Sequence, residues 1–394
     1  MVFRVNNRAG AGLALFLCLP ALLVGQKGWP QTGAAALVET AQVEAAQAAP
    51  SPPDPVLTHR PPPKSTAALA KVTPEGRIHV DVLVTDSAGK PVSGLQPWDF
   101  KLLDDGQPRK ILSFRSVDGA AVKPDPPVEV ILLFDTANLP FQEVSFTRQE
   151  IMKFLRQNGG HLAQPVSIFL LSDAGLRIQP RPSVDGNALA TVVDQIKGSV
   201  HAINAAMGAA GDVERFQLSV RQITAIAENE ARRPGRKLLI WVGPGWPMLD
   251  RRSIVYSEKE QQRYFDGIVE LSTRLREARM AVYSVSAAGP GLGAGADRTF
   301  LYQDFLRGVK SPRQADTGNL ALKVLVSESG GRILGPDNEL AAQIDSCIAE
   351  ANAFYTLSFD PPRPEHADEY HDLKVQVAQP ALTVRTNTGY YNQP

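Results

Sequence analysis

Cysteine is almost absent from the 394-residue chain, which holds only Cys18 and Cys347. Cys18 lies in a segment read below as removed, so the mature chain keeps Cys347 alone and cannot close an internal disulfide. Stability must come from packing. Net charge is lacking as well, since 41 Lys+Arg offset 41 Asp+Glu. A balanced chain has no global field to hold nucleic acid or an anionic membrane, and nothing in it reads as a nucleic-acid binder. An uninterrupted apolar run of the roughly 20 residues that span a bilayer comfortably is also missing. The longest candidate, Ala9–Gly25, is broken by Pro20. Neither a Gly-x-Ser-x-Gly elbow nor a His-Glu-x-x-His helix occurs, which lowers the odds of an enzyme.

What the chain does have is length and an ordinary 43% hydrophobic content, enough for two or three folded units. Arg4 and Arg8 precede the Ala9–Gly25 run, the charged and apolar parts of a secretory signal, so residues 1–25 are expected to be cleaved on export. Leu17 stands before Cys18 where a lipoprotein site wants a small residue, so acylation is not expected. The mature protein is expected to be secreted or periplasmic, in the cell envelope, with no integral span after cleavage. Residues 26–74 are rich in Ala, Gln, Pro and Thr, with proline clusters at Pro50–Pro55 and Pro61–Pro63, and read as a disordered, extended linker.

Strand patterns stand at both ends of the rest. Ile78, Val80, Val82 and Val84 alternate with polar residues, Phe100 and Leu102 restart the alternation, and Asp105-Gly106 is a hairpin turn signal. Residues 75–119 thus read as an N-terminal β module. Tyr355–Phe359, then Leu373, Val375 and Val377, then Leu382 and Val384 repeat the theme, so residues 351–394 are expected to pair with that module into a small β-sandwich. Between them, residues 128–350 alternate buried-type strands (Val128–Phe134, Val166–Leu171, Lys237–Val242, Ala281–Val285) with helical apolar faces. That is the pattern of an α/β domain with a mostly parallel sheet and ligand sites beyond the carboxyl ends of its strands.

The leader, the β module ending near Leu103-Asp-Asp-Gly106, the buried strand closing in Asp135 and the final Gly389-Tyr390-Tyr391 together resemble the von Willebrand factor A-related domain family of the acidobacterial type, over about Arg77 to Tyr391. The resemblance implies a Rossmann-like von Willebrand A domain that serves adhesion or complex assembly through a metal-ion-dependent site at the sheet's crest. In that family the first strand ends Asp-x-Ser-x-Ser, three oxygen-bearing side chains from one loop for a hard cation. Here the stretch is Asp135-Thr136-Ala137-Asn138-Leu139, and Gly243-Pro244-Gly245-Trp246-Pro247 stands where a further aspartate is implied. No tightly bound metal is therefore expected and no other cofactor, although Thr136 or Asn138 with Asp135, and Asp173 at another strand end, leave room for a weak divalent cation at Asp135.

Asp135 has two readings, a residual ligand or polar contact and a strand-ending cap on the following turn. Trp246 also has two, an exposed anchor for a partner protein and a lid folded over the core. Gly291-Leu-Gly293-Ala-Gly295 has the wrong spacing for a dinucleotide loop. Glu365, His366, Asp368, Glu369 and His371 gather metal-capable side chains but follow Pro361, Pro362 and Pro364, and read as a solvated hairpin loop. Arg232, Arg233, Arg236 and Lys237 read as a solvated helix end, and Cys347 as a buried inert thiol. The expected function is a non-catalytic binding module that contacts another extracytoplasmic protein through Asp135, Thr136, Asn138, Asp173 and Trp246. The alternatives are a hydrolase with an unrecognised site in the α/β domain and a purely structural envelope component.

Overall fold

The computed structural model describes residues 58–59, 76–119, 124–196, 208–247, 256–286, 301–335 and 337–393. The leader and the Gly291–Gly295 stretch lie outside the described residues. Thr58–His59, inside the stretch expected to be a disordered linker, forms a short strand, β1, antiparallel to Arg177–Ile178. Backbone groups of that sheet edge explain the departure: an edge strand offers unpaired N–H and C=O groups to any extended segment within reach.

The alternating residues of the N-terminal module become β2 (Ile78–Thr85), β3 (Phe100–Asp104), β4 (Gln107–Arg109) and β5 (Ser113–Asp118). Asp105 and Gly106, with φ of 46° and 77°, turn β3 into β4, the left-handed geometry that an Asp-Gly pair accepts in a two-residue hairpin.

The α/β portion runs β6 (Glu129–Asp135), α1 (Phe141–Leu155), β7 (His161–Ser172), β8 (Gly175–Ile178), β9 (Ser183–Asp185) and α2 (Gly186–Asp194). It continues through α3 (Gly208–Ala231), β10 (Lys237–Val242), α4 (Glu258–Glu277), β11 (Met280–Val285), α5 (Leu322–Glu328) and α6 (Leu340–Ile348). The chain ends in β12 (Ala353–Phe359), β13 (Glu369–Val377), β14 (Thr383–Arg385) and β15 (Gly389–Asn392).

One sheet has the order β1-β8-β7-β6-β10-β11, with β9 also on β7. Strands β7, β6, β10 and β11 are parallel, whereas β8 and β9 are antiparallel to β7 and β1 to β8. The sheet is mixed rather than mostly parallel. The reason is local: only Asp173 and Ala174 separate β7 from β8, and so short a connection can only make a hairpin. Alternate residues of the parallel strands face two different cores, as period two requires. Val130, Leu132, Phe134, Ile240 and Tyr283 pack with α1, α2 and α6, while Ile131, Leu133, Leu239, Trp241 and Val282 pack with α3, α4 and α5.

The flanking strands make two four-stranded antiparallel sheets, β14-β2-β12-β5 and β15-β13-β3-β4. Ile78, Val80 and Val82 of the first share one apolar cluster with Leu102, Leu373 and Tyr390 of the second. Arg279, immediately before β11, joins these sheets to the α/β portion, because its Nε donates to Asp81 Oδ2 at 3.1 Å and its Nη2 to Thr356 Oγ1 at 3.0 Å. That contact lies at the amino end of the parallel strands, the end opposite Asp135.

Candidate functional site

The carboxyl end of β6 lies between β7 and β10. The chain runs from β6 to β7 on one side and returns to β10 on the other, so the crest beside Asp135 is the point where strand order reverses, the place where open α/β sheets form a binding crevice. Asp135 follows Ile131 and Leu133 at spacing two and shares their face with Trp241, whose neighbour across the β6–β10 ladder is Leu133. Trp241 Nε1 donates to Asp135 Oδ2 at 2.9 Å. The Asn138 side-chain nitrogen donates to both carboxylate oxygens, at 3.1 and 2.9 Å, and the Asn138 backbone N–H donates to Oδ1 at 3.1 Å. The same amide nitrogen reaches Ser219 Oγ on α3 at 3.1 Å. Asn138 Oδ1 is left buried with no hydrogen-bond partner among the described residues, a consequence of turning the nitrogen toward the acid.

Asp135 is fully buried, and loss of hydration pushes its carboxyl up to about 6 against the pull of the Asn138 and Trp241 donors. The donor set does not suit a hard cation. Ala137 and Leu139, at the positions where the resemblance implies hydroxyl ligands, are 2% and 1% exposed and anchor the crest loop into the two cores on opposite faces of the sheet. Where a cation would bridge the two carboxylate oxygens, the Asn138 amide bridges them instead. Gly243, at the end of β10, closes the crevice further, since a Cβ there would come within 2.9 Å of the Asp135 Cβ. Of the two readings of Asp135, the backbone bond from Asn138 gives the turn-capping one, supplemented by a tryptophan donor that the sequence did not reveal.

The other expected site residues fare differently. Thr136 is buried, and both its N–H and its hydroxyl donate to Leu171 O at 2.8 Å, fastening the crest loop to β7. Asp173 begins the turn between β7 and β8. Trp246 is 5% exposed, sets its ring edge-on to Trp241 at 5.1 Å and donates Nε1 to Leu320 O at 3.1 Å. The exposed-anchor reading of Trp246 is thus corrected: both its ring and its N–H are used inside, and it is the lid. Among the described residues, Phe141, first residue of α1 and next after the crest loop, is an exposed aromatic, at 55%.

Two further expectations need correction. Of the four-residue basic cluster, Arg236 and Lys237 are 4% and 1% exposed, so only part of it is solvated. The stretch read as a solvated loop holds His366 at the surface but carries His371 into β13, where it is buried against Asp104 with Nδ1 2.9 Å from Oδ1. The alternation of His371 with Leu373 and Val375 was the signal that could have assigned it to a strand. Cys347 is buried and unpaired on α6, with its thiol pushed up to about 12 by desolvation, in keeping with an inert thiol.

No family model matches the chain, and no curated protein matches it. Similar solved structures include proximal thread matrix protein 1 from the mussel byssus, at 10% identity and a TM-score of 0.32, covering 60% of this chain and 50% of that one. The pilus adhesin SpaC from Lactobacillus rhamnosus GG aligns at 9% identity and a TM-score of 0.33, over 77% of this chain and 48% of that one. A von Willebrand factor type A protein from Catenulispora acidiphila aligns at 6% identity and a TM-score of 0.29, over 81% and 75%. The chain spans about half the length of the first two. These likenesses are loose, and strand order and crossovers carry the reading of the fold. Among the described residues no helix is long and apolar enough to cross a membrane.

Proposed function

We propose that the chain is an exported von Willebrand A-like module that binds another extracytoplasmic protein through the crest of its parallel strands, without catalysis and without a metal ion at the crest. The β7-β6-β10-β11 core covered by helices on both faces, with its reversal point at Asp135, supports the fold assignment. The two antiparallel sheets read as a β-sandwich of the flanking segments, docked at the far end from the crest through Asp81 and Arg279. One observation carries the functional part: the Asp135 carboxylate is saturated by Asn138 and Trp241, so the crest has surface shape and side chains to offer rather than an open acid or a cation. Phe141 is the exposed side chain that fits this role, because aromatics serve as interface anchors.

Capture from envelope extracts tests the proposal. A partner held by the wild type should be lost by Phe141→Ser at unchanged thermal stability, and retention of every interaction would favour a structural component. Hydrolysis of simple ester or phosphoester substrates that Asp135→Ala abolishes would make the chain an enzyme. Micromolar binding of Mg²⁺, Mn²⁺ or Ca²⁺ that Asp135→Ala removes would overturn the metal-free crest.

A further inference from the structure

At the β3–β4 turn, three ligand-type atoms converge from an adjacent pair of aspartates and a histidine distant in sequence. His371 Nδ1 lies 2.9 Å from Asp104 Oδ1 and 3.2 Å from Asp105 Oδ2, and one such atom from each residue falls within 4.8 Å of the others. Each group is held from behind. Asp104 Oδ2 accepts from Arg109 Nε at 3.0 Å and from the Tyr390 hydroxyl at 3.1 Å, and Asp105 Oδ1 accepts from Asp372 N at 3.0 Å. The His371 ring stacks on Tyr390, with centroids 5.0 Å apart and planes 11° apart. Every carboxylate therefore has one oxygen secured and the other turned to the imidazole.

The ring itself is left with an unmet atom. The His371 side chain is 6% exposed, and its Nε2 is buried with no hydrogen-bond partner among the described residues. With the proton on Nδ1, the two carboxylates are served but Nε2 is a bare buried acceptor. With the proton on Nε2, the Nδ1 lone pair faces two carboxylate oxygens. A cation between the three atoms is bound by Nδ1 and the two oxygens and leaves the proton on Nε2. A shift of about 1 Å would bring Glu369 Oε1, 3.9 Å from Nε2, within hydrogen-bond reach, giving the carboxylate–histidine–metal arrangement that orients metal-bound imidazoles.

We propose that Asp104, Asp105 and His371 form a zinc-type divalent-cation site, with Glu369 as a positioning residue, that clasps the β3–β4 hairpin to β13. An imidazole nitrogen selects a borderline ion over Mg²⁺ or Ca²⁺, which prefer oxygen alone. Ligands at about 2.1 Å from a tetrahedral Zn²⁺ lie about 3.4 Å apart, so the two imidazole–carboxylate distances need open by only a few tenths of an ångström, and the two carboxylate oxygens already lie within 4.8 Å of each other. Asp105 is 44% exposed and gives the ion a way in and a face for a water ligand. The site stands apart from the crest, and neither reading depends on the other.

Calorimetric titration of the full chain with ZnCl₂ checks it. The expected result is one Zn²⁺ per chain in the low-micromolar range or tighter, with a raised melting temperature and with Mg²⁺ and Ca²⁺ at least about 100-fold weaker. Asp105→Asn keeps a residue that tolerates the left-handed turn and should weaken Zn²⁺ binding by more than about tenfold, as should Glu369→Ala. Glu258→Gln, at an exposed carboxylate on α4, should leave it unchanged. Absence of Zn²⁺ uptake, equal affinity in the wild type and Asp105→Asn, or tighter binding of Ca²⁺ than of Zn²⁺ would overturn the assignment.

Discussion

Burial and hydrogen bonding pull Asp135 in opposite directions, and burial wins. Its folded carboxyl stands near 6, about two units above the ordinary aspartate, which corresponds to roughly 2–3 kcal/mol. Because the folded chain takes up this proton before the unfolded chain does, the group favours folding as pH falls from about 6 towards 4. That contribution is lost as pH rises through the same window. Trp241→Phe keeps most of the packing and removes the indole donor. At pH 7.5, where the acid is ionised, it should cost about 1.5–3 kcal/mol in urea unfolding, the range for a hydrogen bond to a charged group. At pH 4.5, where the acid is protonated, the loss should be clearly smaller. An equal loss at both pH values would mean that the Trp241 bond does not act on the carboxylate. Asp135 stood out in the sequence as the end of an apolar strand. Trp241 did not, because its meeting with Asp135 depends on which strand lies beside β6 and in what register.

Helix ends at the opposite side of the sheet are closed by a buried cation. Lys237, first residue of β10, sends Nζ to Glu230 O at 2.9 Å, to Arg233 O and to Ala278 O at 3.2 Å. One ammonium thus serves the last turn of α3, the residues just after it and the residue that ends α4, where carbonyls have no partner inside the helix. Lys237→Met, which fills similar space without a donor, should lower unfolding free energy by about 1–3 kcal/mol, and Lys237→Arg should recover part of the loss. A neutral Met variant in thermal and chemical denaturation would show that the carbonyls find other donors. At this scale the sequence was most informative where the pattern was long. Seven residues at Glu129–Asp135 and six at Lys237–Val242 are buried throughout, and the unbroken apolar runs within them, Val130–Phe134 and Leu238–Val242, announced strands covered on both faces. The short β8 and β9 gave no such run, since Gly175-Leu-Arg-Ile178 buries Leu176 alone, and with them the antiparallel half of the sheet went unseen. The basic cluster misled for a related reason: charge suggests solvent, yet a cation whose bonds are all supplied by backbone carbonyls can be buried.

The described residues belong to one compact unit. Its sheets are joined by apolar packing, with Leu83, Val117 and Phe354 in the core under α1, α2 and α6 and Tyr391 in the core under α3 and α4, and by specific polar contacts. Arg279 grips Asp81 and Thr356, Arg385 Nη2 donates to the buried Glu350 at 2.6 Å, and the Tyr391 hydroxyl donates to Val309 O at 3.1 Å. The strand patterns at both ends of the chain hinted that these segments meet, because neither set is large enough to bury its own apolar face. Nothing in one sequence named the side chains that bind them to the α/β portion, since Asp81 and Arg279 are 198 positions apart. If these joints make the unit cooperative, amide exchange at neutral pH should report similar opening free energies for β12 and β13 as for β6 and β10. Arg279→Leu leaves Asp81, 12% exposed, half-buried without its cation, a loss of about 1–3 kcal/mol. That loss should fall on the joint rather than on the α/β core. Peptides from β2 and β12 should then exchange about tenfold faster or more, while those from β6 and β10 keep their protection. Separate opening energies in the wild type, unmoved by Arg279→Leu, would mean that the antiparallel sheets stand on their own core and that the arginine joint only sets their orientation.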